Sequence, residues 1–176
     1  MIARRAARRG ALAQADATAH PGAMITTSID AGEERYLRRA VELARLAREA
    51  GDRPYGAVLV GEDGRVLAEG RNATVSDGDP TSHAELNAVR AARPAPPGLT
   101  GATMYASGEP CAMCSAAMAW AGVTRVVFGA SIPAIRAVDP SPGLTLRCAD
   151  VMAAAPYPVE VIGPVLEEEC LAVFTS

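Results

Sequence analysis

The stretch YGAVLVGEDGRVLAEG, residues 55–70, decides the fold. Tyr55 to Val60 is a short, mostly apolar run, Glu62-Asp63-Gly64 carries Asp-Gly turn chemistry, and Val66 to Gly70 returns, so the segment reads as a β-hairpin. Before it, from Glu33 to Ala50, apolar residues recur at Leu37, Val41, Leu43, Ala44 and Ala47 among Arg and Glu, a helical period that Gly51 ends. After it, Asn72 to Pro80 is polar and turn-rich. Thr81 or Ser82 is then placed to cap a helix with Leu86, Val89 and Ala92 inward, stopped by Pro94. A loop over Pro94 to Gly101 leads to a buried strand at Thr103 to Ala106, an Ala- and Met-rich helix over Pro110 to Ala121, and a strand at Arg125 to Gly129. A Pro-rich connection, a short helix near Leu146 to Ala154, a strand at Val159 to Gly163 and a closing helix from Leu166 to Phe174 complete the chain. A helix, a hairpin and then alternating helices and strands describe an α/β sandwich, its sheet mostly parallel behind the first antiparallel pair.

With 176 residues, 49% apolar and 21% charged, the chain suits one globular domain that buries its own core. Residues 1–24 differ in composition: Arg4, Arg5, Arg8 and Arg9 face the single acid Asp16, and the segment reads as a disordered Arg/Ala-rich tail, or as the product of an upstream start with Met24 as the alternative. The domain is expected over residues 25–176. All 17 basic residues are Arg, against 20 acids, for a net charge of −3. Without the four arginines and one acid of the tail, 13 basic and 19 acidic residues leave −6, which opposes general binding of polyanions. No apolar run reaches the roughly 18 to 20 residues that cross a bilayer. Four cysteines are too few for a disulfide scaffold, so a reducing cytoplasm is expected.

Three residues have metal-ligand chemistry at suggestive spacing: His83, Cys111 and Cys114. Cys-x-x-Cys in the first turn of a helix points both sulfurs to one side, near free backbone N–H groups that favour thiolate. His83, at the start of another helix, supplies a third ligand, and one imidazole with two thiolates suits zinc with a fourth position left for water. A structural zinc site needs a fourth protein ligand, and Cys148 and Cys170 lack the spacing. A redox pair leaves His83 and Glu85 without a role. Glu85, two residues after His83, is placed to take a proton from water and return it to a ring nitrogen or leaving amine.

Together, His83-Ala84-Glu85 and Pro110-Cys111-Ala112-Met113-Cys114 match the H-x-E…P-C-x-x-C signature of zinc deaminases. The chain resembles the cytidine-deaminase-like superfamily, in its branch of guanine, cytosine and tRNA adenosine deaminases. The resemblance spans about residues 33–130, through Pro54-Tyr55-Gly56-Ala57, Asp79-Pro80-Thr81-Ser82-His83-Ala84-Glu85, Glu109-Pro110-Cys111 and Arg125-Val126-Val127-Phe128-Gly129. It implies a three-layer α/β/α sandwich with a five-stranded mixed sheet, one zinc, hydrolytic release of an exocyclic amine as ammonia, and a homodimer. It also implies that Asn72 binds the substrate base, that the backbone N–H of Ala84 meets its carbonyl oxygen, and that Glu109 supports the ligand loop.

Tyr55 and Trp120 are placed at the pocket as stacking faces for a planar heterocycle, the alternative for each being plain core. Ala119-Trp120-Ala121 and the segment Asn72 to Asp79 resemble the guanine deaminases, and guanine is the first candidate substrate. The alternatives are a cytosine or nucleoside deaminase, a tRNA adenosine deaminase, and a non-catalytic zinc-stabilised binding module. After Gly129 the chain departs from these relatives, and Asp139, Asp150 or another C-terminal acid is left open as the reader of the amine. Glu167-Glu168-Glu169 stands where tRNA-editing relatives are basic, which speaks against nucleic acid and for a small heterocyclic amine as partner.

Overall fold

The computed structural model describes residues 25–26, 28–93 and 98–175. The tail expected over residues 1–24 and part of the loop expected at 94–101 lie outside these. Strand β1 (Ile25–Thr26) precedes helix α1 (Ala31–Glu49). The start of α1 is fixed by Asp30, whose Oδ1 accepts from the Glu33 N–H at 2.9 Å while Glu33 accepts from the Asp30 N–H at 3.2 Å, a reciprocal cap. The helix thus begins two residues before its expected start at Glu33. Its inward stripe is Leu37, Ala40, Val41, Leu43, Ala44 and Ala47.

The hairpin forms as β2 (Gly56–Val60) and β3 (Val66–Arg71), and α2 (Ala84–Ala92), β4 (Thr103–Gly108), α3 (Ala112–Ala121) and β5 (Arg125–Ala130) follow. The chain closes with α4 (Ile132–Val138), α5 (Cys148–Met152), β6 (Glu160–Ile162) and α6 (Glu167–Thr175). Strand order is β1-β6-β5-β4-β2-β3. β2 pairs antiparallel with β3 and β4, while β4 with β5, β5 with β6 and β1 with β6 are parallel. The five expected strands therefore make the mixed sheet, and the two-residue β1 adds an edge beside β6, in register Ile25 with Val161.

Both faces of the sheet are covered, which is why its central strands are almost continuously apolar rather than alternating. On one face Ala57, Leu59, Met104, Val126 and Val161 pack with Ala84 and Ala88 of α2, Met118 of α3 and Met152 of α5. On the other, Val58, Val60, Tyr105, Val127 and Ile162 meet Leu37, Ala40 and Leu43 of α1. Three layers result. Val41 and Ala44 of α1, Ile135 of α4 and Cys170 and Val173 of α6 make a further cluster beside Ala130.

Two glycines set how closely the layers approach. A Cβ at Gly56 would lie 2.1 Å from the Ala40 carbonyl oxygen and 2.6 Å from the Ala44 nitrogen, and one at Gly70 would lie 2.1 Å from the Ala84 carbonyl oxygen. Gly56→Ala therefore has to lift α1 off β2, against backbone rather than against a movable side chain. It is expected to cost at least the ~1–3 kcal/mol typical of overpacking. The check is the urea unfolding midpoint, and an unshifted midpoint would mean that α1 slides freely on the sheet.

Three boundaries differ from the sequence reading. Neither Thr81 nor Ser82 caps α2: its N-cap is His83, which makes no side-chain capping bond, while the Ser82 hydroxyl donates to Asp77 at 2.6 Å. Helix α3 begins at Ala112 with Cys111 as N-cap. Helix α4 lies inside the supposed Pro-rich connection. Ser131 caps it, and Pro133 sits in its first turn, where the missing N–H costs nothing, so a proline of the expected connection starts a helix.

Candidate zinc centre and active-site cavity

Two helix starts build the centre. Cys111 ends an extended segment at φ −68° and ψ 169°, Cys114 lies three residues on in the first turn of α3, and His83 holds the same N-cap position on α2. Because His83 spends no ring nitrogen on capping, its Nδ1 faces the sulfurs, at 3.7 Å from Cys111 Sγ and 3.5 Å from Cys114 Sγ. The two sulfurs are 3.6 Å apart and both thiols are free, far beyond a disulfide's ~2.05 Å.

This triangle has the dimensions of three corners of a zinc tetrahedron. Zn–S bonds of about 2.3 Å and Zn–N bonds of about 2.0–2.1 Å at tetrahedral angles separate donor atoms by about 3.6–3.8 Å. His83, Cys111 and Cys114 also group as a metal-binding set by proximity. Their ionisation fits a cation. The Cys114 thiol, donating to Cys111, pulls the Cys111 thiol down to about 4, with His83 assisting. Cys114, sharing that proton and buried near Glu85, is pushed well above the thiol range. A divalent charge removes the conflict between two adjacent thiolates.

Glu85, in the first turn of α2, is 6% exposed and lines the same cavity without joining the triangle. Burial raises its carboxyl above the usual range, with the Cys111 thiolate adding to the effect. Tyr55 and Asn72 line the cavity too. Burial raises the Tyr55 hydroxyl to about 12, and the ring packs edge-on against Phe174 at 5.3 Å. Asn72 is buried, and its Oδ1 accepts from the Thr74 N–H at 3.1 Å and the Thr74 hydroxyl at 2.9 Å. Thr74 commits the oxygen, so what the amide has left to offer a base is Nδ2, a donor. Ala84 is buried as the first residue of α2, where backbone N–H groups have no intrahelical acceptor.

Glu109 has a side chain only 2% exposed. It accepts from Arg147 Nε at 2.7 Å and Nη2 at 2.6 Å, from the Cys148 N–H at 3.1 Å and from the Ile132 N–H at 3.0 Å. One carboxylate next to Pro110 thereby holds the starts of both α4 and α5.

Trp120 is a correction. It is 92% exposed and stands outside the lining of the cavity. Helix α3 turns Cys114, Ser115 and Met118 inward, and six residues after Cys114 the helix has turned about 240° from it, so Trp120 faces away. Asp139 and Asp150 are not lining residues: Asp139 pairs with Arg53, and Asp150 accepts from the Arg147 N–H at 3.1 Å. The cavity, about 490 Å³, has lining residues that sequence reasoning missed, among them Arg53, Met113, Ile135, Arg136 and Leu144. The only sequence signal for the α4 contribution was Ser131-Ile132-Pro133, an N-cap with an early proline.

A three-layer mixed sheet with an imidazole, two thiolates and a buried glutamate converging at two helix starts defines a zinc-dependent hydrolytic deaminase. The chain belongs to the family described as cytidine and deoxycytidylate deaminase zinc-binding region, which matches residues 31–130. It is 37% identical over 152 residues to a Schizosaccharomyces pombe protein named "Probable cytosine deaminase", covering 84% of this chain and 93% of that one. It is 42% identical over 100 residues to a guanine deaminase of Bacillus subtilis, covering 55% of this chain and 64% of that one. A solved structure from a study of A-to-I editing by tRNA:A34 deaminases superposes with a TM-score of 0.66 at 33% identity, over 80% of this chain and 99% of that one. Zinc is the family's metal. Among the described residues no helix is long and apolar enough to cross a membrane.

Proposed function

We propose that this chain deaminates a free nucleobase or a related small aminated heterocycle, with cytosine first and guanine second. The observation that carries this reading is the outer wall of the cavity. Residues of α4 and the following segment, Ile132, Ile135, Arg136 and Ser141 to Leu144, line the same cavity as His83, Glu85 and Cys111, and its volume of about 490 Å³ is of small-ligand size. Cytosine is placed ahead of guanine for two reasons. Trp120, the stacking wall expected to favour two rings, faces away from the cavity, and a relative matched over 93% of its length is named "Probable cytosine deaminase".

In this reading His83, Cys111 and Cys114 hold the zinc. When bound, zinc supplies the Lewis acidity that lets water lose a proton near neutral pH. Glu85 takes one proton from the attacking water on a carboxylate oxygen and gives it to the ring nitrogen beside the reacting carbon, then takes the second proton from the newly added hydroxyl and gives it to the departing amine. One water is consumed, the C–N bond breaks, a C=O replaces it and ammonia leaves. Asn72 donates from Nδ2 to a carbonyl or ring acceptor of the base, the Ala84 N–H is a second donor, and Tyr55 bounds the ring. Glu109 holds the outer wall to the ligand loop. The homodimer implied by the resemblance finds in Trp120 and the half-buried Ala116 and Ala117 of α3 an apolar surface on which to pair.

Ammonia release from cytosine, guanine, adenine, their nucleosides and tRNA tests the reading. Cytosine or guanine is expected to exceed its nucleoside by about tenfold or more in kcat/KM, a ratio within reach of pocket contacts. Inosine formed in tRNA, or turnover of nucleosides alone, would overturn it.

A further inference from the structure

We propose that Arg53 and Asp139 form an ion-paired bar across the rim of the cavity that admits free bases and rejects their nucleosides, an inference that rests on the free-base reading above. Arg53 stands between α1 and β2, two residues before Tyr55, and its side chain lines the cavity. Asp139 is the C-cap of α4, and the turn before it supplies Ile135 and Arg136 to the lining. The Arg53 Nη2 to Asp139 Oδ2 ion pair therefore ties a lining residue of one wall to the C-cap of the helix that supplies the other, 86 residues away in sequence. Both side chains are 38% exposed while Glu85 is buried, so the pair meets solvent where the reacting group does not, the relation a rim has to a floor.

Both partners are held in place. The Arg53 guanidinium lies 5.7 Å from the centroid of the Tyr55 ring, a cation–π distance. The Asp139 N–H donates to the Ile135 carbonyl at 2.8 Å, and Pro140 keeps the Asp139 backbone out of the helical region. The outer wall does not depend on the pair for attachment. Arg136 Nη2 donates to the Leu144 carbonyl at 2.8 Å, and Glu109 holds Ile132 and Arg147. The pair's distinct contribution is thus at the rim.

In cytosine the nitrogen that would carry a ribose lies across the ring from the amine-bearing carbon. With that carbon at Glu85, a ribose points to the rim, where it has to displace the bar and separate a charge-assisted hydrogen bond. The free base leaves the pair intact. Rejection therefore comes from an element that penalises the wrong substrate, rather than from extra attraction for the right one.

The test is kcat/KM for cytidine over cytosine in the wild type, Arg53→Ala, Asp139→Ala and the charge-exchanged Arg53→Asp/Asp139→Arg. A half-exposed pair contributes little to stability, so thermal midpoints near the wild type are expected. The cytidine-to-cytosine ratio is expected to rise about tenfold or more in each single variant and to return toward the wild-type value in the exchanged one. A wild type that prefers cytosine, with ratios unchanged in the single variants, overturns the bar alone. Raised ratios that the exchange does not lower also overturn it, because the ion pair is then not what rejects the nucleoside. A wild type that turns over cytidine faster than cytosine overturns the free-base reading, and the bar with it.

Discussion

Replacing Glu85 with Gln is expected to lower kcat by about 10²–10⁴ while zinc content and folding are unchanged, the range for loss of a general acid/base group. The substitution keeps the size and the hydrogen-bonding reach of the side chain and removes only the capacity to accept a proton. Glu85 lines the cavity but stands outside the triangle of His83, Cys111 and Cys114, so metal retention should not depend on its charge. Single-turnover kinetics and metal analysis on the same preparation make the check. A variant that loses zinc, or one that keeps its full rate, removes Glu85 from the proton-carrying role.

Cys114→Ala is expected to abolish turnover and to release the zinc to a chelator that leaves the wild type loaded. Cys114 is fully buried, and its sulfur is one corner of a triangle with edges of 3.5–3.7 Å, so its loss leaves two donors where a stable site needs three or more. Metal binding and folding are linked, because the ligands come from two helix starts joined only through the fold. The thermal midpoint of the variant should therefore no longer respond to added zinc. Elemental analysis after chelator washing decides the matter, and full zinc content together with full activity would remove Cys114 from the ligand set.

Much of the chemistry was legible because it is local. A histidine two residues before a glutamate, and two cysteines three residues apart behind a proline, each define a helix start, and cap positions are set within a few residues of chain. The hairpin of residues 55–70 and the buried strands were legible for a related reason, since turn residues and apolar runs act over short distances. Even locally there was a limit: Pro133 read as part of a broken connection because a proline that ends one helix and a proline that starts another differ only in what surrounds them.

Residue type and short spacing were enough for the family, the zinc chemistry, the five principal strands and the order of helices and strands apart from β1 and α4. The tertiary structure alone decided which side chains share the cavity. It turned Trp120 outward because its direction depends on which face of α3 packs on the sheet. It gave Glu109 its partners Ile132, Arg147 and Cys148, and it set Arg53 beside Asp139. Those contacts join residues 23 to 86 positions apart, and their pairing is fixed by how α4 and α5 dock against the sheet, a long-range packing outcome with no periodic or local signature in the chain.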